Sequence, residues 1–294
     1  MQPPFYMQFN VSANEANRLY WNEQYFSLEI VMLFPKQIET REDVQNITND
    51  CSLVLKLTPF KNQFRAKMLA NLADKECDEK ANLIGLTISM NIRTLKVNHI
   101  VDSREIQTSL DKYGSGTIKS GESNVLNLTD AEKEELAQAL EKLAQGNLKP
   151  HLRQPFVSFE ASFLDEQWAE RIPKSQNKSP LIPFQAVFPY SGAIERFYEK
   201  QIFAIDDLYC VSPECDCNEV TCVVLTFDPK SGRRITHGGF KYHLEKKVFK
   251  NIPNFPNNFN SQEWFKQFNK LSPVNLLFAF QTRYELLRKQ LQSL

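Results

Sequence analysis

Apolar and polar residues alternate along much of the chain. Leu53, Leu55 and Leu57 fall on one face with Lys56 and Thr58 on the other, and Leu86, Ile88, Met90 and Ile92 repeat the pattern. A period of two is that of a half-buried strand, so both segments are expected to pair in a sheet. After Arg93 the apolar phase slips by one and resumes as Leu95, Val97 and His99. That slip predicts a bulge or a new strand and sets His99 on its apolar face. Further strands are expected at 157–163, where Val157, Phe159, Ala161 and Phe163 alternate with Ser158, Glu160 and Ser162, and at 184–188. The C-terminal part adds Phe203 and Ile205, then Val223, Leu225 and Phe227, then a third strand around 240–249.

Two helices stand out against this background. Thr129 with Glu132 has the form of a capping box, Leu136, Leu140 and Leu143 make one apolar stripe, and Gly146 is a stop. These features predict a surface helix over 130–145. At the end of the chain Val274, Leu277, Phe278, Tyr284, Leu287 and Leu291 recur at helical spacing, with Ser272 as the expected N-cap and Pro273 in the first turn. Residues 111–124, which hold three of the nine glycines, and residues 171–183 read as loops. A boundary is therefore expected after 124, giving an N-terminal part of 1–124 and a C-terminal part of 125–294. The fold class is α+β with mostly antiparallel sheet, because hairpin-length connections outnumber helical crossovers.

Composition narrows the chemistry. The 294 residues are 42% hydrophobic, enough for a full core without metal. Thirty-five basic and 35 acidic residues cancel, so no global field draws the chain to nucleic acid or to a membrane surface. Nine glycines fall below the usual ~7%, which disfavours glycine-cradled phosphate sites. The first basic residue is Arg18, after a stretch that mixes polar residues throughout, and no run nears the ~18 apolar residues of a membrane span. The expected location is thus the cytoplasm, where clustered cysteines favour metal over disulfide.

The cysteines carry the sharpest signal. YCVSPECDCNEVTC sets Cys210, Cys215, Cys217 and Cys222 at C-x4-C-x-C-x4-C spacing. Zinc takes four thiolate or imidazole ligands in a tetrahedron, and a tight turn lets one short segment supply several of them. With strands on both sides, the cluster is expected at a hairpin tip and to hold one structural zinc. If Asp228 opposes Arg233 across the next turn, His243 falls opposite Asn218 and His237 opposite Val224. The fourth ligand is then Cys222, near in sequence, or His243, of the right type and on the adjoining strand; a slip of one residue would flip either to the other face.

Between 233 and 250 there are six cations against Glu245 alone, interleaved with Phe240, Tyr242 and Phe249. Arg233, Arg234, Lys241, Lys246 and Lys247 could form a patch for an anionic partner, with bases stacking on the aromatics. Residues 199–219 carry six acids against one lysine, so mutual neutralisation within one sheet is the competing account.

The segment IDDLYCVSPECDCNEV, followed by TCVVLTF, resembles part of a group of uncharacterised bacterial proteins. In these an Asp-x-Tyr-Cys opening, a proline and Cys-Asp-Cys recur, sometimes beside a SEC-C type zinc motif. Asp207, Tyr209, Cys210, Pro213, Cys215, Asp216 and Cys217 fit that pattern; Cys222 is not part of it, and the Cys-rich tail of SEC-C is absent. The resemblance implies metal binding and a bacterial origin and carries no activity. The leading expectation is a zinc-stabilised, non-enzymatic interaction module with a protein partner. A nucleic-acid-associated protein using the 233–250 strand is the alternative, and a metal-dependent or thiol enzyme ranks third.

Overall fold

A computed structural model of the chain describes residues 5–9, 18–62, 66, 84–103, 106–110, 116–120, 128–160, 163, 181–187, 194–198, 201–210, 212, 215–228, 231, 233–252, 259–272 and 274–292. The fold is α+β with antiparallel sheets, and it divides into two compact units. The first comprises Met1–Lys36, Glu42–Leu110 and Gly116–Arg153; the second comprises Gln37–Arg41, Asp111–Ser115 and Gln154–Leu294.

In the first unit β1 (Phe5–Phe9), β2 (Arg18–Trp21), β3 (Gln24–Phe34), α1 (Arg41–Asn49), β4 (Cys51–Pro59), β5 (Ile84–Asn91) and β6 (Lys96–Ser103) follow in order. The sheet order is β1-β3-β4-β5-β6 with β2 also on β3, and β7 (Ile106–Leu110) pairs with β8 (Gly116–Ser120) as a separate ribbon. β8 lies inside the stretch expected to be a loop; the rest of 111–124 is outside the described residues. The expected strands form, with Leu53, Leu55, Leu57, Leu86, Ile88 and Met90 buried. On the opposite face Lys56 meets Glu29 at 3.4 Å across the β3–β4 pair.

The slip after Arg93 is a hairpin turn followed by irregular pairing. Leu95 adopts φ 58°, and the register shifts between Ser89 and Met90. As a result His99 stands opposite Ser89 on the non-core face and is exposed, not on the apolar face. α2 (Asp130–Gln145) carries the expected capping box at Thr129, buries Leu136, Leu140 and Ala144, and packs on β2 and β6. Its Glu141 accepts the Val97 backbone N–H at 3.0 Å and pairs with Lys96 at 2.7 Å. The helix α3 (Lys149–Arg153) completes this unit.

The second unit holds β9 (Leu181–Pro183), α4 (Phe184–Val187), β10 (Ile194–Tyr198), β11 (Gln201–Cys210), β12 (Glu219–Phe227), β13 (Arg234–His243), β14 (Val248–Asn251), α5 (Ser261–Leu271) and α6 (Leu276–Gln292). The sheet order is β10-β11-β12-β13-β14, with β9 also on β11. Three expectations change here. Residues 154–156 form a 3-10 turn and Val157–Phe159 continue as turn, because Phe159 and Glu160 donate to the Phe156 carbonyl at 2.9 and 3.2 Å. Short apolar runs satisfy either a strand or a wrapped turn, and Pro155 favours the latter. The strand expected at 184–188 is one helical turn, at least over its described part, preceded by β9. The N-cap of α6 is Asn275, whose Oδ1 accepts from Leu277 and Phe278 N–H at 3.0 and 3.3 Å. Ser272 instead ends α5, a helix not foreseen although Asn260 caps it through Glu263 N–H.

A strap binds the turn between these helices. Ile38 makes a parallel bridge with Val274, and Gln37 Nε2 donates to the carbonyls of Asn269 and Ser272, both at 2.8 Å. α5 lays Phe265 flat on Tyr242, 5.4 Å between centroids at 8°, with Phe240 and Phe249 around it. At Gly238 an added Cβ would run into the Phe259 ring, which stacks on Trp264. Gly238→Ala is therefore expected to lower stability by about 1–3 kcal/mol, and shortening Phe259 to leucine in the same chain should recover part of the loss in urea unfolding.

In the first unit, Asp50 accepts hydrogen bonds from Ser89 Oγ and from Asn98 Nδ2, which hold its carboxyl below the ordinary carboxylate range, the Ser89 bond contributing most. A group that binds its proton less readily when folded adds stability above about pH 4 and loses it on acidification. Asp50→Asn should therefore flatten the fall in urea midpoint between pH 7 and pH 3; an unchanged pH profile would count against this assignment.

Candidate metal centre

β11 reaches Cys210 at its last residue, where the backbone pairs with Leu181 of β9. The connection to β12 then turns, Cys215 N–H donating to the Ser212 carbonyl at 3.1 Å, and brings two more thiols back over the strand end. The sulfurs of Cys210, Cys215 and Cys217 lie within 4.8 Å of one another. Cys215 and Cys217 are in direct contact, Sγ to Sγ 2.7 Å, and the Cys217 N–H points at the Cys215 sulfur at 3.4 Å. Hydrogen bonding from Cys217, first by its thiol and then by its backbone, lowers the Cys215 thiol, with Cys210 and Arg288 adding to the effect. Burial pushes the Cys217 thiol up to about 12, helped by its two neighbours. Among the described residues every cysteine is a free thiol.

Neither contender for a fourth ligand belongs to this group. Cys222 lies three residues inside β12, about 10 Å along the strand, and is fully buried between Asp207 and Phe240. Burial drives its thiol well above the ordinary range. The register expected around Asp228 and Arg233 holds near the turn, Asp228 N–H donating to the Arg233 carbonyl at 2.9 Å, but shifts by one between Val224 and Leu225. His237 is the extra residue, bonded to Thr226 Oγ1 at 2.9 Å, and His243 stands opposite Glu219 instead of Asn218. The His243 Nδ1 is turned to its own hairpin, accepting the Lys246 N–H at 3.2 Å.

Below the cysteines lies a polar network that periodicity did not reveal. Arg283 of α6 gives Nη1 to both oxygens of Asp207, at 2.9 and 2.8 Å, and Nε to Ser158 Oγ at 3.1 Å. Tyr209 donates its hydroxyl to Asp207 Oδ2 at 2.7 Å, and the guanidinium lies 4.5 Å over the Phe184 ring. Both charged side chains are almost completely buried, 4% and 2% exposed. A cation between Phe280 and Leu287 on the inward stripe of α6 was the one sequence signal that could have found this pair.

No protein-family model matches the chain, and no curated protein or solved structure matches it.

The cationic strand does not form one patch. Arg233 and Arg234 sit at the start of β13 and Lys246 and Lys247 beyond its end, about 30 Å away along a ten-residue strand. Arg234 pairs with Asp206 at 3.1 Å and Lys250 with Glu219, so two of the cations are engaged by acids of the 199–219 segment across the sheet. Lys241 adds its charge beside Glu219. The interleaved aromatics point inward, Phe240 and Tyr242 buried against α5, and offer no stacking platform.

The Asp207–Arg283 pair yields a direct test. Asp207→Asn leaves a buried guanidinium without its counter-charge and should cost about 3–5 kcal/mol in urea unfolding. Replacing both residues with leucine and methionine should cost much less than the sum of the single changes. Additive losses would mean that the pair acts as two independent groups.

Proposed function

We propose that Cys210, Cys215 and Cys217 hold one zinc ion that fastens the β11–β12 connection, and that the protein is a zinc-stabilised interaction module, not an enzyme. The observation that carries this reading is the convergence of three sulfurs within 4.8 Å from one short loop. A tetrahedral zinc with Zn–S of about 2.3 Å needs sulfurs roughly 3.8 Å apart, a spacing that small side-chain rotations here would supply. Soft thiolates favour zinc over hard cations, and a reducing cytoplasm keeps them free to bind it. Thiolate-rich sites are typically structural, and the nearby carboxylates Asp206 and Glu219 are engaged with Arg234 and Lys250. The resemblance of this segment to uncharacterised bacterial proteins agrees with three chain ligands, since Cys222 is not part of their pattern. A protein partner suits the fold better than nucleic acid, given the buried aromatics of β13. Among the described residues no helix is long and apolar enough to cross a membrane.

Elemental analysis of protein purified without added metal should find about one zinc per chain. Cys210→Ser, Cys215→Ser and Cys217→Ser should lose it, whereas Cys222→Ser and His243→Ala should keep it. Chelation should lower the melting temperature, because a ligand of the folded state alone stabilises that state. Persistently substoichiometric zinc in the parent protein would remove the central claim; retention in the three serine variants would move the site elsewhere.

A further inference from the structure

The C-terminal helix α6 touches the cysteine loop through two side chains one turn apart. Tyr284 Oη donates to the carbonyl of Cys217 at 3.0 Å, and Arg288 Nη2 donates to the carbonyl of Cys215 at 2.6 Å. The Arg288 guanidinium also lies 4.9 Å over the Tyr284 ring. Residues four apart share a helix face, so the two act as one clamp. Both carbonyls belong to thiol-bearing residues of the site, and they are the groups whose position the metal would fix. Three thiolates around a divalent cation leave one net negative charge, which Arg288 would face. The start of this clamp is anchored independently of the loop, because Arg283 is locked into Asp207 and Ser158. Beyond that anchor, the last turns are held by Leu287 in the core, by the exposed Arg41–Glu285 ion pair at 2.6 Å and by these two hydrogen bonds to the cysteine loop.

We infer that Tyr284 and Arg288 are positioning residues in the outer shell of the metal site, and that metal binding and docking of the last turns of α6 stabilise each other. This rests on the metal reading of the three cysteines. Groups that orient ligands from outside the coordination sphere typically change metal affinity by about 10- to 100-fold. Coupling between two binding events is reciprocal, so an ion that tightens the loop must also hold the helix end, and a docked helix must raise the affinity of the loop for the ion.

The test uses the full chain and zinc itself. Affinity is measured by competition with a chromophoric chelator for the parent, Tyr284→Phe, Tyr284→Phe/Arg288→Ala, and Lys289→Ala on the exposed face of the same helix. The double variant should bind zinc at least tenfold more weakly, Tyr284→Phe should lie between it and the parent, and Lys289→Ala should match the parent. Hydrogen exchange should be slower over 284–292 with zinc than after chelation, and that difference should shrink in Tyr284→Phe, which keeps the ring and its packing. One zinc per chain with unchanged affinity in Tyr284→Phe and the double variant would overturn the linkage while leaving the metal site in place. So would equal exchange over 284–292 with and without zinc. Failure of the parent to bind zinc would overturn the metal reading.

Discussion

The ion pair between Asp207 and Arg283 is the constraint on which the second unit turns. A carboxylate and a guanidinium taken out of water lose several kcal/mol of hydration each, and only close pairing with further hydrogen bonds restores it. Here Tyr209, Ser158 and the face of Phe184 provide those additional partners. Because Asp207, Ser158 and Phe184 converge on a single guanidinium while Tyr209 holds the carboxylate it pairs with, the rotation of α6 about its own axis is set. Phe280 and Leu287 then enter the core, and Tyr284 and Arg288 are carried to the carbonyls of the cysteine loop.

The cysteine site follows from that placement. β11 delivers Cys210 at its end, the short connection delivers Cys215 and Cys217, and the helix holds the loop from one side. Cys222 shares the inner face with Asp207 and is committed to packing, a common role for a small buried thiol. The same sheet shows why a cluster of cations and aromatics need not bind nucleic acid. Alternation turns Phe240 and Tyr242 inward onto α5, while Arg234 and Lys250 each pair with an acid two strands away in the sheet, Asp206 and Glu219.

Much of the fold was legible where one local rule sufficed. Leu53, Leu55 and Leu57 needed only a period of two, and Thr129 with Glu132 needed only the geometry of a helix start. Four cysteines were read as one cluster because proximity in the chain nearly guarantees proximity in space, and three of them do converge while Cys222 does not. Misreadings arose where local patterns are degenerate. The apolar run at 157–163 suits a strand or a turn, and Ser272 could cap the helix after it or end the helix before it; Asn269, Asn275 and the Gln37–Ile38 strap decide the matter from other parts of the chain.

By itself, then, the sequence determined the alternating strands, the capped surface helix, the C-terminal helix and the cysteine-bearing hairpin, all of which depend on residues a few positions apart. Tertiary structure alone decided the irregularity at His237, which moved His243 one place along the sheet, and the separation of Cys222 from the other three thiols. It also brought Arg283 to Asp207, 76 residues away in the chain. Pairing register and the burial of a charge depend on which surfaces meet, and no local pattern in the chain encodes that.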